Sequence, residues 1–307
     1  MATILAPIAL FTFKRPEHTR RTLESLAQNP EFAGSPLFIY CDGALNDAEA
    51  VKVVETRQFV RDWPHPNKVI IERDRNLGLA NSIIDGVTHQ CNAHGKVIVV
   101  EDDMVVSKYF LNYMNLALLK YQDDDRVISI HGYSFPIVNL PEAFFIRGTS
   151  CWGWATWKRG WDLFEADGKK LHDELLKRKL MHRFNIDGAY PYRRMLLDQI
   201  HGRNDSWAVR WYASALIHDK LTLHPGRSLV SNIGLDGSGT HCDPEQESVH
   251  LLSSTSIILS GVEVAEDRNA LQAWHKYLKA ARRRKLIKVI SSFGFLMKVI
   301  KRRVRIT

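Results

Sequence analysis

The sequence predicts an α/β domain whose mainly parallel central sheet is flanked by helices, and three observations carry that reading. Apolar, β-branched runs of about five residues alternate with helix-like stretches over roughly the first 130 residues, the spacing of strand–helix–strand crossovers. One run, Lys96 to Val106, is apolar almost throughout yet holds three consecutive acids, Glu101-Asp102-Asp103. A chain of 307 residues, 45% hydrophobic and 25% charged, can bury a sizeable core.

Residues 4–13 read as a first buried strand, followed by a helix with Pro16 in its first turn. Pro36 to Tyr40 reads as a second strand, closed by Cys41-Asp42-Gly43. Asn46 then caps a helix through Phe59, with Asp47 and Glu49 favouring its positive end. Lys68 to Glu72 gives a third strand, and Arg73 to Gly78 a loop into a helix through Val87. Lys96 to Val106 reads as one strand buried on both faces. Ser107 is expected to cap a helix to about Tyr121, with Val127 to Ile130 forming the next strand.

The position of Glu101-Asp102-Asp103 is what makes it informative. Acid triplets are commonly solvated turns, and Asp123-Asp124-Asp125 reads as one. The first triplet instead lies inside an apolar run, where carboxylates need a cation or a ring of donors to offset their repulsion. A hard divalent ion bridging to a phosphate-bearing ligand is the natural offset.

Beyond about residue 140 the pattern changes. Phe144-Phe145-Ile146 reads as a strand, and then Trp152, Trp154, Trp157 and Trp161 lie close together among glycines. Such indoles either pack as the core face of a helix or form a platform for a sugar ring. Residues 169–220 read as helices, and a strand near Ser228–Ser231 leads into a Gly/Ser-rich stretch, residues 232–241, that suits a lid over a ligand. Four scattered cysteines without a Cys-x-x-Cys pair suggest reduced thiols in a cytoplasmic protein. The amino terminus lacks the features of a signal peptide, and no stretch is long and apolar enough to span a bilayer.

The net charge of +8 is unevenly spread: residues 268–307 hold 13 Lys and Arg and no acid, leaving 29 basic against 34 acidic residues before them. Residues 282–306 place Leu286, Val289, Phe293, Leu296 and Ile300 in one helical stripe with Lys and Arg opposite. A basic amphipathic helix of this kind suits an anionic membrane surface, the inner face of the cell membrane for a cytoplasmic protein. Packing back onto the mildly acidic body is the alternative. Nucleic acid is disfavoured as a partner, because the body is not basic and the tail has few aromatics.

Taken in order, the first strand and helix, Asp42-Gly43, Arg75-Asn76-Leu77-Gly78-Leu79-Ala80, Val99-Val100-Glu101-Asp102-Asp103, the Gly-Trp segment, Asp205-Ser206-Trp207 and the Gly/Ser loop resemble an inverting glycosyltransferase of the glycosyltransferase-A (Rossmann-like) fold. Bacterial surface-polysaccharide sugar transferases and, distantly, N-acetylglucosaminyltransferase I are similar over roughly residues 5–242. The resemblance implies that residues 1–135 form a nucleotide-sugar-binding half, 136–260 an acceptor-binding half of the same domain, and 261–307 the basic helical tail. It implies Asp103 as ligand to Mn²⁺ or Mg²⁺, with His241 as a second ligand, and Asp102 and Glu101 on the ribose and the ion's waters. Thr12, Arg15, Asp42, Asn76 and Asn81 would line the base and ribose pocket, Trp152 and Trp154 would face a sugar, and Asp236 and Ser238 would belong to the lid. Asp205, or else Asp198, would be the catalytic base. The implied reaction moves a sugar with inversion from a nucleotide sugar, a UDP-sugar first, to a glycan or lipid-linked acceptor. Two other readings stay open: a nucleotidyltransferase that makes nucleotide sugars, and a non-catalytic sugar- or membrane-binding module of the same fold.

Overall fold

The computed structural model describes residues 5–235 and 251–284. In chain order its elements are β1 (Ile8–Thr12), α1 (Pro16–Ala27), β2 (Leu37–Cys41), α2 (Asp47–Asp62), β3 (Lys68–Glu72), α3 (Leu79–His94), β4 (Lys96–Glu101), β5 (Met104–Val106), α4 (Phe110–Lys120) and β6 (Val127–His131). Then follow β7 (Ala143–Arg147), β8 (Trp154–Trp157), α5 (Lys158–Trp161), α6 (Gly168–Lys177), α7 (Met181–Phe184), α8 (Tyr192–Ile200), α9 (Trp207–Ile217), β9 (Leu221–Pro225) and β10 (Val230–Asn232). Residues 268–284 form a further helix.

Eight strands make one sheet in the order β3-β2-β1-β4-β8-β6-β9-β7. The first four are mutually parallel, as are β6 and β9; β8 runs antiparallel between β4 and β6, and β7 antiparallel on the far edge. Alternation along the strands divides the core between two faces. Ile8, Leu10, Ile98 and Val100 pack with Leu23 and Leu26 of α1 and Phe110 and Met114 of α4. Ala9, Phe11, Val97 and Val99 pack with Ile83 and Val87 of α3 and Trp207 and Trp211 of α9. A third cluster joins α6, α7, α8 and α9 through Leu171, Phe184, Leu196 and Val209.

The α/β architecture is as expected, with four local differences. The run from Lys96 to Val106 is two strands, because the chain turns at Asp102-Asp103 and Met104–Val106 pairs antiparallel with β10 in a separate ribbon. Carboxylates that cannot continue through a buried sheet end the strand. The tryptophan segment enters the sheet centre as β8 instead of a helix. Leu221–Pro225 is an interior strand that its short, Pro-ended run concealed. Tyr109, not Ser107, occupies the position before α4, and the Ser107 hydroxyl donates to the Ser253 carbonyl at 2.7 Å.

Asn46 does cap α2, its side chain accepting from the Glu49 N–H at 3.2 Å. Residues 268–284 dock onto the body, Ala270 and Trp274 packing on Phe144 and Ile146. Of the basic amphipathic stretch 282–306, residues 285–306 lie outside the described residues. Among the described residues no helix is long and apolar enough to cross a membrane.

A buried pair, His131 and His224, bridges β6 and β9 through their Nδ1 atoms at 3.3 Å. The Trp152 N–H donates to His131 Nε2, so the His131 proton sits on Nδ1 and points at its partner. Burial pushes His224 down to about 3, and burial together with His224 holds His131 well below its ordinary value. Both are therefore neutral when folded, whereas in the unfolded chain each takes up a proton near pH 6.5. Stability present above that pH is lost as the pH falls toward the folded values, by up to about 1.4 kcal/mol per pH unit for each histidine. Urea midpoints are expected to drop between pH 7 and pH 5, with a shallower drop in His224→Gln.

Candidate active site

The connection from β1 runs outward to β2 and β3, and the chain then crosses back to place β4 on the other side of β1. This is a topological switch point, where open α/β sheets bind ligands at the carboxyl ends of their strands. Phe11 and Glu101 are paired there, the last matched residues of β1 and β4.

The loop leaving β1 and the turn leaving β4 meet over this crevice. The Phe13 N–H donates to Asp102 Oδ2 at 3.3 Å, and the Thr22 hydroxyl donates to the Asp102 carbonyl at 2.8 Å. Arg15, held extended before Pro16 as the proline ring requires, sends its guanidinium onto both Asp102 and Asp103, 2.9 Å from Asp103 Oδ2. Its side chain is 18% exposed, against 4% for Asp102 and 12% for Asp103. Asp103 Oδ1 is buried and has no hydrogen-bond partner among the described residues.

Burial raises the Glu101 carboxyl, and Asp103 and Asp102 push it further. Asp102 is also raised, since burial and Asp103 outweigh the pull of Arg15. For Arg15 burial opposes the charge, yet the two aspartates hold it firmly protonated. One guanidinium thus serves three carboxylates. The cluster is short of positive charge, and a divalent cation is what would supply it.

Asp103, with its open oxygen, is the residue that fits a metal. Among the described residues no three His, Cys, Asp or Glu side chains converge as a ready-made cage. A single carboxylate with waters and substrate phosphates is the manner in which Mg²⁺ is commonly held. His241, Asp236 and Ser238 lie outside the described residues. The beginning of the Gly/Ser stretch is described and closes on the acids: the Ile233 N–H donates to the Asp103 carbonyl at 2.9 Å. Gly234 sits so near that an added Cβ would collide with Asp103 Oδ2 and stand 2.9 Å from Arg15 Nη1.

The residues expected to line a base and ribose pocket serve mostly to shape it. Asp42 Oδ1 accepts from the Gly43 and Leu77 N–H groups at 2.9 and 2.8 Å, and Oδ2 from the Gly78 N–H at 3.0 Å. Both oxygens are thereby committed to the backbone. Asn76 donates to the Gly43 carbonyl and Asn81 to the Leu77 carbonyl, each at 2.8 Å. Thr12 is buried between strands, 3.3 Å from Cys41 Sγ. Gly43 has no room for a Cβ, which would fall 2.8 Å from the Arg75 Cα and closer still to its carbonyl carbon. Arg57, which sequence reasoning passed over, clamps the same corner by donating to the Asp42 and Arg73 carbonyls at 3.2 and 2.5 Å. Arg15 belongs to the acid cluster instead of this corner.

Trp154 is fully buried, stacked on Trp207 at 5.3 Å and flanked by Trp161 and Trp211. With no exposed face it is a core residue, a correction to its expected sugar contact. Trp152 is partly buried, edge-on to Tyr133 at 4.7 Å, and keeps some surface. Cys151 beside it feels the charges of Glu101 and Asp103, which together with burial hold its thiol protonated. The electrostatic contact places Cys151 at the site, which no sequence signal had indicated.

Asp205 is exposed and precedes α9, where Ser206 is the cap, accepting from the Val209 N–H at 3.2 Å. Since α9 ends just before β9, which is parallel to β6, Asp205 lies toward the edge where β1 and β4 end. Strand alternation directs Glu101, with Val97 and Val99, to the face that α9 covers. Asp205 is 3.4 Å from Arg210. Asp198 instead pairs with Arg203 at 2.6 Å and Arg194 at 3.9 Å beside a separate depression lined by Arg193, Arg194 and Arg203.

No protein-family model matches this chain, and no curated protein does. Among solved structures, the mannosyltransferase PcManGT from Pyrobaculum calidifontis, in complex with GDP-Man and Mn²⁺, is similar at 11% sequence identity and a TM-score of 0.32. The match covers 44% of this chain and 37% of that one.

Proposed function

We propose that the chain is a metal-dependent glycosyltransferase that moves a sugar from a nucleotide sugar, a UDP-sugar first, to a glycan or lipid-linked acceptor with inversion. The observation that carries this reading is the acid turn at the switch point, with Asp103 Oδ1 buried and unpartnered beside Asp102. The order of motifs along the chain supports it.

In this reading Asp103 holds Mn²⁺ or Mg²⁺, which when bound neutralises charge growing on the departing nucleotide diphosphate. Asp102, tied to Phe13 and Arg15, fixes the turn so that Asp103 faces the crevice. Asp42, Asn76 and Gly43 hold the loop that shapes the nucleoside pocket. The Ile233-Gly234 segment covers the acids and excludes water. Asp205, with Arg210 keeping it ionised, takes the proton from the acceptor hydroxyl as that oxygen attacks the anomeric carbon opposite the diphosphate.

Incubation with Mn²⁺ and a panel of nucleotide sugars tests the reading: slow release of free nucleotide diphosphate is expected. Turnover only with pyrophosphate would indicate a nucleotidyltransferase, and no turnover with any donor a binding module. Asp205→Asn is expected to lower kcat by about 10²–10⁴-fold with donor binding retained. An unchanged kcat would remove Asp205 as the base.

A further inference from the structure

We propose that Arg15 is an internal stand-in for the divalent cation: it neutralises Asp102 and Asp103 while the site is empty of metal, and must leave Asp103 when the ion arrives. The inference rests on the proposed metal role of Asp103 but concerns a residue that role does not require.

Four observations converge on it. The Arg15 guanidinium spans both carboxylates, so it lies where an ion bridging them would lie. It takes Asp103 Oδ2 and leaves Oδ1 bare, half of a carboxylate that an incoming ion can engage before the arginine departs. Gly234 packs against both Asp103 Oδ2 and Arg15 Nη1, so the cover over the acids is fitted to the paired state. Finally, Arg15 sits outside the helical residues of α1, whose start has no side-chain cap, so the side chain can swing without unwinding any helix.

The physical reasoning is a competition between cations. A guanidinium against two largely buried carboxylates is needed in the metal-free protein, since unpaired buried charges are strongly disfavoured. The same positive charge repels a divalent ion and covers one of its oxygens. Once displaced, a guanidinium has an obvious new partner in the donor diphosphate, which it binds through paired N–H groups. Metal and diphosphate therefore enter together more readily than metal alone, and Arg15 is the positioning residue that couples them.

The test is Mn²⁺ binding to the full chain by titration calorimetry, with and without UDP, alongside metal-free melting curves. Arg15→Gln is expected to bind Mn²⁺ alone about tenfold more tightly than wild type, or more, to melt lower without metal, and to recover on adding Mn²⁺. UDP should strengthen Mn²⁺ binding less in the variant than in wild type. Tighter binding in the variant supports the proposal even where wild type binds Mn²⁺ too weakly to measure. Equal or weaker Mn²⁺ binding in Arg15→Gln overturns it and leaves the metal reading of Asp103 intact. If neither protein binds Mn²⁺, the metal reading falls and this inference with it. Should Arg15→Gln fail to fold, Arg15→Lys decides: an ammonium lacks the fork that spans both carboxylates, so Mn²⁺ binding tighter by about threefold supports the exchange and no change overturns it.

Discussion

Asp103→Ala is expected to abolish manganese-dependent nucleotide binding while leaving the fold intact. The loss should exceed the roughly 10–100-fold contributed by the outer partners of a metal site, since a ligand itself is removed. The fold should survive because the interactions around Asp103 that hold structure do not use its carboxylate. Its carbonyl still accepts from Ile233, and Arg15 still pairs with Asp102. Removing one of three crowded carboxylates also relieves repulsion on Glu101 and Asp102. A thermal-shift series with UDP, with and without Mn²⁺, reads the result. Asp124→Ala is the control: that acid belongs to the other triplet, pairs with Arg126 at 2.7 Å, and should change nothing. Nucleotide binding that stays manganese-dependent in Asp103→Ala would dismiss Asp103 as the ligand.

Trp154→Ala carries the largest expected cost in stability. Its indole, wholly buried at the centre of the sheet, joins β8 to α9 by stacking on Trp207 and to α5 by contact with Trp161. Truncating such a side chain leaves a large cavity and costs about 3–5 kcal/mol. Trp154→Phe keeps most of the packing and should recover much of this, with nucleotide binding unchanged. Denaturant melts of the two variants separate a core role from a sugar-binding one. A fully stable Trp154→Ala protein with impaired donor use would restore the sugar platform and contradict the packing.

These two residues also mark how far the sequence could be read. The strand–helix alternation, the cap at Asn46 and the carboxyl-end position of Glu101-Asp102-Asp103 were legible, because periodicity and capping act over a few neighbouring residues. So was the contrast between two acid triplets, one inside an apolar run and one in a turn. The fate of the tryptophans was not legible, since an indole on a platform and an indole in a core have the same local sequence. Likewise β9 stayed hidden because its place in the sheet is set by β6 and β7, far away in the chain.

The same division holds within the site. Asp42 and Asn76 stood out from their loops, but only the fold shows their polar atoms consumed by backbone groups across a corner of some 30 residues' separation. By itself the sequence determined an α/β chain with acids at a strand end and a basic carboxyl-terminal stretch, all consequences of local pattern and composition. Tertiary structure alone decided that Arg15 meets Asp102 and Asp103, that Gly234 closes over them and that Trp154 is inaccessible. Each of those contacts joins segments distant in sequence, and distance in sequence is what local pattern cannot see.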